Sequence, residues 1–170
     1  MVIVTLTTTP PNFSHVHKTI TSLANQTIKP DRIVLNIPKE YSREDFNNTL
    51  FDISIVASNE ACRSRVEINR CHDYGPATKL LGLVEDKDSL DEDDIIIVVD
   101  DDIEYPEDLV ETHINYHSEY ENTVFSVCCS NISDELVVNG WPMPDRSNFD
   151  LCCGWGSYSM RGRMLGEKLF

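Results

Sequence analysis

Residues 95–99 read Ile-Ile-Ile-Val-Val, and three aspartates, Asp100, Asp101 and Asp102, follow without a break. A run of β-branched residues suits a strand buried on both faces, as in a parallel sheet covered by helices. Three carboxylates crowded at its end repel one another and raise one another's pKa, which calls for a cation among them. A divalent metal is the simplest candidate, because carboxylate oxygens suit Mg²⁺ and Mn²⁺. In an extended segment Asp100 and Asp102 point to one side and Asp101 to the other. Asp102 then holds the metal, with Asp100 nearby for a second bond or a ribose hydroxyl. The competing explanation is an acidic turn that caps a helix starting near Pro106, where negative charge is favourable.

The 170-residue chain is long enough for one domain with a sizeable core. No apolar stretch approaches the ~20 residues needed to span a bilayer. Val2-Ile3-Val4 is too short for a signal-peptide core and has no basic residue ahead of it. A cytoplasmic location is therefore expected. The net charge of −15 argues against nucleic acid as a partner, though not against a nucleotide held by local cations or a metal. The acids at 85–94 read as a solvated loop. Cys62, Cys71, Cys128, Cys129, Cys152 and Cys153 form no C-x-x-C pair and read as buried thiols on core strands in a reduced compartment.

Strands are expected at 1–6, 32–37, 53–57, 66–69, 95–99, 123–129 and 135–139, with a loop at 142–149. Helices are expected at 14–26, from Ser42, at 77–84, at 107–120 with Pro106 at its first turn, and at 161–169. The alternation predicts an α/β fold with a mostly parallel sheet. Ligands of such sheets lie beyond the carboxyl ends of the strands. Thr7, Thr8 and Thr9 stand at one such end and the three aspartates at another, so the two are expected to line one cleft.

Three further clusters carry chemistry. In His72-Asp73-Tyr74-Gly75-Pro76-Ala77-Thr78-Lys79, the glycine permits close backbone approach, the helix start can receive an anion, and Lys79 adds a point charge for phosphate. The same pattern is also an ordinary Gly-Pro helix entry. Gly154-Trp155-Gly156 sets a flat ring beside a tight backbone, which suits a sugar or a base, or a core tryptophan in a turn. His113 and His117 share a helix face without the glutamate of a zinc-protease motif, and read as a solvated or half-buried face. Neither G-x-S-x-G nor a P-loop is present.

The turn after the first strand and the segments SLANQTIKPDRIVLNIP, DYGPATKLLG, DDIIIVVDDDIEYPEDLV and CCGWGSYSMRG occur in that order. Together they resemble nucleotide-sugar glycosyltransferases of the GT-A type, found in bacteria and in large DNA viruses of algae. The viral members are the most similar. The likeness runs the length of the chain, and VDDDIEYP and GWG are its most specific parts. It implies a single GT-A domain over 1–170: a Rossmann-like, three-layer α/β/α arrangement with a mostly parallel central sheet. It implies metal-dependent transfer from a UDP-sugar donor to a glycan acceptor, in the host cytoplasm if the protein is viral.

Asp100-Asp101-Asp102 corresponds to the family's D-x-D motif. Asp102 is then the expected catalytic ligand of Mn²⁺ or Mg²⁺, and Asp100 lies near the metal or the ribose. Thr7, Thr8 and Thr9 are expected to face the uridine, and Tyr74 and Lys79 to lie near the nucleotide or diphosphate. Gly154, Trp155 and Gly156 are expected to border the sugar and acceptor pocket. Relatives continue past Gly-Trp-Gly to an acidic pair that supplies the base in inverting members, and this sequence stops at Phe170. A C-terminal continuation, further domains of a longer parent chain, or a retaining enzyme is therefore expected, with Asp150 as the fallback catalytic acid. The alternatives are a nucleotide-sugar-binding module without turnover and a Mg²⁺-dependent phosphotransferase or hydrolase.

Overall fold

A computed structural model describes residues 1–46, 51, 52, 54, 66–85, 90–127, 129–132, 138, 139, 151, 152 and 156–166. Its centre is a six-stranded sheet in the order β3-β2-β1-β4-β9-β5. The strands are β1 (Val2–Thr7), β2 (Arg32–Pro38), β3 (Val66–Cys71), β4 (Ile95–Val99), β5 (Phe125–Ser126) and β9 (Ser157–Arg161). β3, β2, β1 and β4 run parallel, and β9 is antiparallel to both of its neighbours. A small antiparallel ladder joins β6 (Cys129–Ile132) to β7 (Val138–Asn139) and β8 (Leu151–Cys152).

The pleat explains the unbroken apolar run of β4. Ile95, Ile97 and Val99 face a core shared with Val16, Ile20 and Leu23 of α1 (Val16–Ala24) and Leu109 and Val110 of α3 (Leu109–Glu119). Ile96 and Val98 face the other core, against Leu83 of α2 (Thr78–Val84). Every β4 residue is thus buried, by helices on both sides of the sheet. The expected three-layer α/β/α arrangement with a mostly parallel sheet is present.

α2 sits where a buried polar knot fixes it. The Asn36 amide donates to Thr5 Oγ1 and to the carbonyls of Leu6 and Lys79, and Thr5 Oγ1 donates to the same Lys79 carbonyl at 2.6 Å. Gly82 makes room for this contact, since a Cβ there would meet the Asn36 side chain at 2.9 Å.

Several expected elements differ. The helix expected from Arg161 is instead the end of β9, followed by a single 3-10 turn, Gly162–Met164. β9 hides from periodicity because its inward residues are Ser157 and Ser159, which meet buried histidines of α3 rather than aliphatic side chains. His113 and His117 are accordingly fully buried, not on a solvated face.

α3 begins at Leu109, and Pro106 lies in the turn before it, its carbonyl accepting from Leu109 N–H. The strand expected at 123–129 is a half-buried two-residue β5 and, after it, β6. Ser42 starts no α-helix; a 3-10 turn follows at Glu44–Phe46. Apart from Ser54, the strand expected at 53–57 and the loop at 142–149 lie outside the described residues, as do Cys62, Cys128 and Cys153. Cys71 is a buried free thiol, and burial pushes its pKa up to about 12. No helix among the described residues is long and apolar enough to cross a membrane.

Candidate functional site

The parallel strands β1, β2 and β4 end on one side of the sheet, and a cleft of about 750 Å³, counting its open mouth, lies beyond them. Thr7, Thr8, Thr9, Asp100, Asp101 and Lys79 all line it, so the two strand ends expected to meet do meet. Thr7 Oγ1 donates to the Asn36 carbonyl. Thr8 is buried, its carbonyl accepts from the Tyr41 hydroxyl at 3.0 Å, and its own hydroxyl has no partner among the described residues. The Thr9 carbonyl accepts from Asn12 N–H and closes the turn that leads into α1.

The three aspartates have different surroundings. Asp100 Oδ1 accepts from Lys79 Nζ and Oδ2 from the Gly156 N–H, both at 2.7 Å. Its own N–H donates to the Tyr105 hydroxyl, which in turn donates to the Gly156 carbonyl. Burial pushes the Tyr105 pKa up, so the hydroxyl keeps its proton as donor. Asp101 turns toward α1: Asn12 Nδ2 donates to its Oδ1 at 3.3 Å and Thr19 Oγ1 to its carbonyl, while Oδ2 is buried without a partner among the described residues. The chain bends at Asp101 and Asp102, so strand alternation stops there. Asp102 is exposed, no hydrogen bond to its carboxylate is present among the described residues, and it stands outside the cleft wall.

The cation expected among the acids is thus supplied in part by Lys79. No group of three or more His, Cys, Asp or Glu side chains is arranged for a metal among the described residues. The donor set still fits a weakly held hard cation. Mg²⁺ keeps several waters and takes one or two carboxylates together with substrate phosphates. Asp102, exposed, and Asp101 Oδ2, orphaned, are the oxygens suited to it.

Gly156 is at the site, with φ +79°, a conformation that favours glycine. Tyr74 is not brought into the cleft; its ring packs edge-on against His72 at 4.9 Å. Asp150, Gly154 and Trp155 lie outside the described residues.

Sequence reasoning missed the lining residues Tyr41, Arg43 and Phe46, and it gave no role to Asp73 within the His72–Lys79 cluster. Tyr41, Arg43 and Phe46 follow the carboxyl end of β2, so topology was their only signal. Tyr41 and Phe46 meet edge to face at 5.8 Å, and the Arg43 guanidinium lies over the Phe46 ring at 5.5 Å. Asp73 accepts from Ser42 N–H and Gly75 N–H at 2.7 and 2.8 Å, which staples the two loops together. Burial raises the Asp73 pKa, but these donors outweigh it and hold the carboxyl below its ordinary value.

No protein-family model matches the chain, and no curated protein matches it in sequence. Solved structures do match. The 4-diphosphocytidyl-2C-methyl-D-erythritol synthase of Anaerococcus prevotii DSM 20548 superposes with a TM-score of 0.55 at 14% identity, over 97% of this chain and 71% of that one. The 2-C-methyl-D-erythritol 4-phosphate cytidylyltransferase of Francisella tularensis gives 0.53 at 11% identity, over 96% and 74%. S. aureus TarS 1-349 in complex with UDP-GlcNAc gives 0.51 at 15% identity, over 84% of this chain but only 37% of that one. The chain therefore spans little more than a third of the TarS structure. At these identities the likeness shows the fold, a GT-A-like and Rossmann-like α/β architecture. These neighbours are bacterial, and nothing in them links the chain to an algal virus.

Proposed function

We propose that this chain is a divalent-metal-dependent glycosyltransferase that moves a sugar from a UDP-sugar donor to a glycan acceptor. One observation carries the reading: an acidic strand end and a threonine-rich strand end line one cleft at the carboxyl edge of a parallel sheet. That edge is where α/β sheets bind nucleotides. The similarity to a structure holding UDP-GlcNAc supports the same reading.

In this reading Thr7, Thr8 and Thr9 face the uridine, with the Tyr41 and Phe46 rings as an apolar wall for the base. Lys79 sets a positive charge beside the diphosphate. Asp102 holds the cation, which when bound neutralises charge developing on the departing nucleoside diphosphate. Gly154, Trp155 and Gly156 border the sugar, and Asp150 is the available acid near the acceptor.

The higher coverage of the two cytidyl-transfer neighbours favours a second reading, nucleotidyl transfer from a triphosphate. The β1–α1 turn speaks against it. Thr7-Thr8-Thr9-Pro10-Pro11 has no glycine and no lysine or arginine, and its two prolines lack N–H groups. A triphosphate cradle needs backbone donors and cations there.

Thermal unfolding with UDP, CTP, GDP and ADP, each with and without Mn²⁺, tests both. UDP with Mn²⁺ at a hundredfold excess over Kd raises Tm by about 5 °C or more, from about 2.7 kcal/mol of linkage. Asp102→Ala removes the Mn²⁺-dependent part. A shift with CTP alone selects the second reading, and no shift with any nucleotide ends both.

A further inference from the structure

Both oxygens of Asp100 are already used inside the protein. Oδ1 holds the Lys79 ammonium of α2, and Oδ2 holds the Gly156 N–H at the start of β9, each at 2.7 Å. The ion pair is largely shielded, with the Lys79 and Asp100 side chains 12% and 22% exposed. Tyr105 closes a second link between the same strands, from Asp100 N–H at 2.9 Å to the Gly156 carbonyl at 2.7 Å. Gly156 is thus tied to Asp100, just past the end of β4, directly through its N–H and through the Tyr105 hydroxyl at its carbonyl. These links join three elements that are remote in sequence, and they meet at the cleft.

A carboxylate so engaged is a poor metal ligand. Each oxygen keeps a second lone pair, but a cation taken there stands beside the Lys79 ammonium, 2.7 Å from Oδ1, and competes with it for the same negative charge. Asp102 is exposed, and among the described residues no donor occupies its carboxylate. We propose that Asp100 is a positioning residue, not a metal ligand. It fastens α2 and β9 to the end of β4, fixes where Lys79 and Gly156 stand at the cleft, and leaves the cation to Asp102. The clause about the cation rests on the glycosyltransferase reading; the fastening does not.

Amide hydrogen exchange in the whole chain reads the fastening without any ligand. In Asp100→Ala the Gly156 amide exchanges at least about tenfold faster, as expected when a hydrogen bond to a charged acceptor is lost. Asp102→Ala leaves that amide at the parent rate, and the Ile96 and Ile97 amides report that the sheet is intact in both variants. Lys79→Met and Asp100→Asn, milder changes, serve if Asp100→Ala does not fold; each speeds Gly156 exchange by a smaller factor. An unchanged Gly156 rate in every Asp100 and Lys79 variant overturns the fastening.

UDP titration calorimetry with and without Mn²⁺ reads the second clause. Asp100→Asn weakens UDP by a similar factor in both conditions, whereas Asp102→Ala loses the gain that Mn²⁺ brings. Loss of that gain in Asp100→Asn makes Asp100 a ligand and overturns the assignment. A parent protein that binds no UDP at all removes the glycosyltransferase reading and the cation clause with it, and the exchange rates still decide the fastening.

Discussion

The Thr8 hydroxyl and Asp101 Oδ2 are buried polar atoms of cleft-lining residues that lack a partner among the described residues. A buried hydroxyl without a hydrogen bond costs stability, and such a group in a native structure asks for a reason. A ligand that completes the bond is a reason the cleft itself supplies. Thr8→Val keeps the shape and removes the hydroxyl. It is expected to stabilise the free protein by about 1 kcal/mol and to weaken UDP roughly tenfold, the equivalent of one good hydrogen bond. Urea unfolding and UDP titration on the same preparation check the pair of effects. A variant that is destabilised, or that binds UDP as the parent does, removes Thr8 from the site. The three aspartates show how far residue-level reading goes. Their crowding and their place at a strand end were legible from Asp100-Asp101-Asp102 alone. Their division of labour was not, because it depends on Lys79, Gly156 and Asn12, partners 21 to 89 positions away in sequence.

Among the elements, β4 declared itself by composition, because both its faces meet aliphatic helices. β9 did not, because it trades aliphatic contacts for a buried polar seam with α3. Ser159 Oγ lies 2.7 Å from His113 Nδ1 and 2.8 Å from His117 Nε2, and Ser157 Oγ lies 3.1 Å from His113 Nε2. Fully buried, with a serine hydroxyl at each ring nitrogen and no carboxylate beside it among the described residues, His113 is held neutral. Burial, and secondarily the neighbouring His117, push its pKa down to about 3, and burial lowers that of His117 as well. The folded state therefore binds fewer protons than the unfolded chain between pH 6.5, the ordinary histidine value, and about 3. Stability falls as pH drops through that window, by up to ~1.4 kcal/mol per pH unit for His113. His113→Gln cannot titrate and still offers hydrogen bonds to the serines. Its urea midpoint is expected to change less than the parent's between pH 7 and pH 5. Equal slopes in the two proteins contradict a neutral His113. A histidine pair four apart on one helix face says only that the two share surroundings; that those surroundings are serines on a strand forty residues later lies in the tertiary pairing.

At the scale of the whole molecule, strand order explains why some site residues were foreseeable and others were not. Thr7–Thr9 and the aspartates follow the two central strands β1 and β4, which sequence pattern alone identifies. Tyr41, Arg43, Phe46 and Asp73 belong to the cleft because β2 and β3 stack outward beside β1 in the order β3-β2-β1-β4. Tyr74, one residue beyond Asp73, is turned the other way, toward His72.

Electrostatics at the same scale make a further prediction. The chain carries a net charge of −15, and among the described residues the cleft is lined by Asp73, Asp100 and Asp101 against Arg43 and Lys79. An anionic nucleotide therefore approaches against the field of the protein. The reach of that field contracts from about 30 Å at 0.01 M ionic strength to about 8 Å at 0.15 M. Without metal, the association rate of UDP is expected to rise several-fold over this range, the reverse of ordinary electrostatic steering. With Mn²⁺ present, positive charge beside Asp102 opposes the field locally, and the rise becomes smaller. Stopped-flow association at matched protein concentration measures both series. A rate that falls with added salt in both conditions means that the cleft attracts anions without a metal. The neutralising role given to the cation would then be unnecessary for binding.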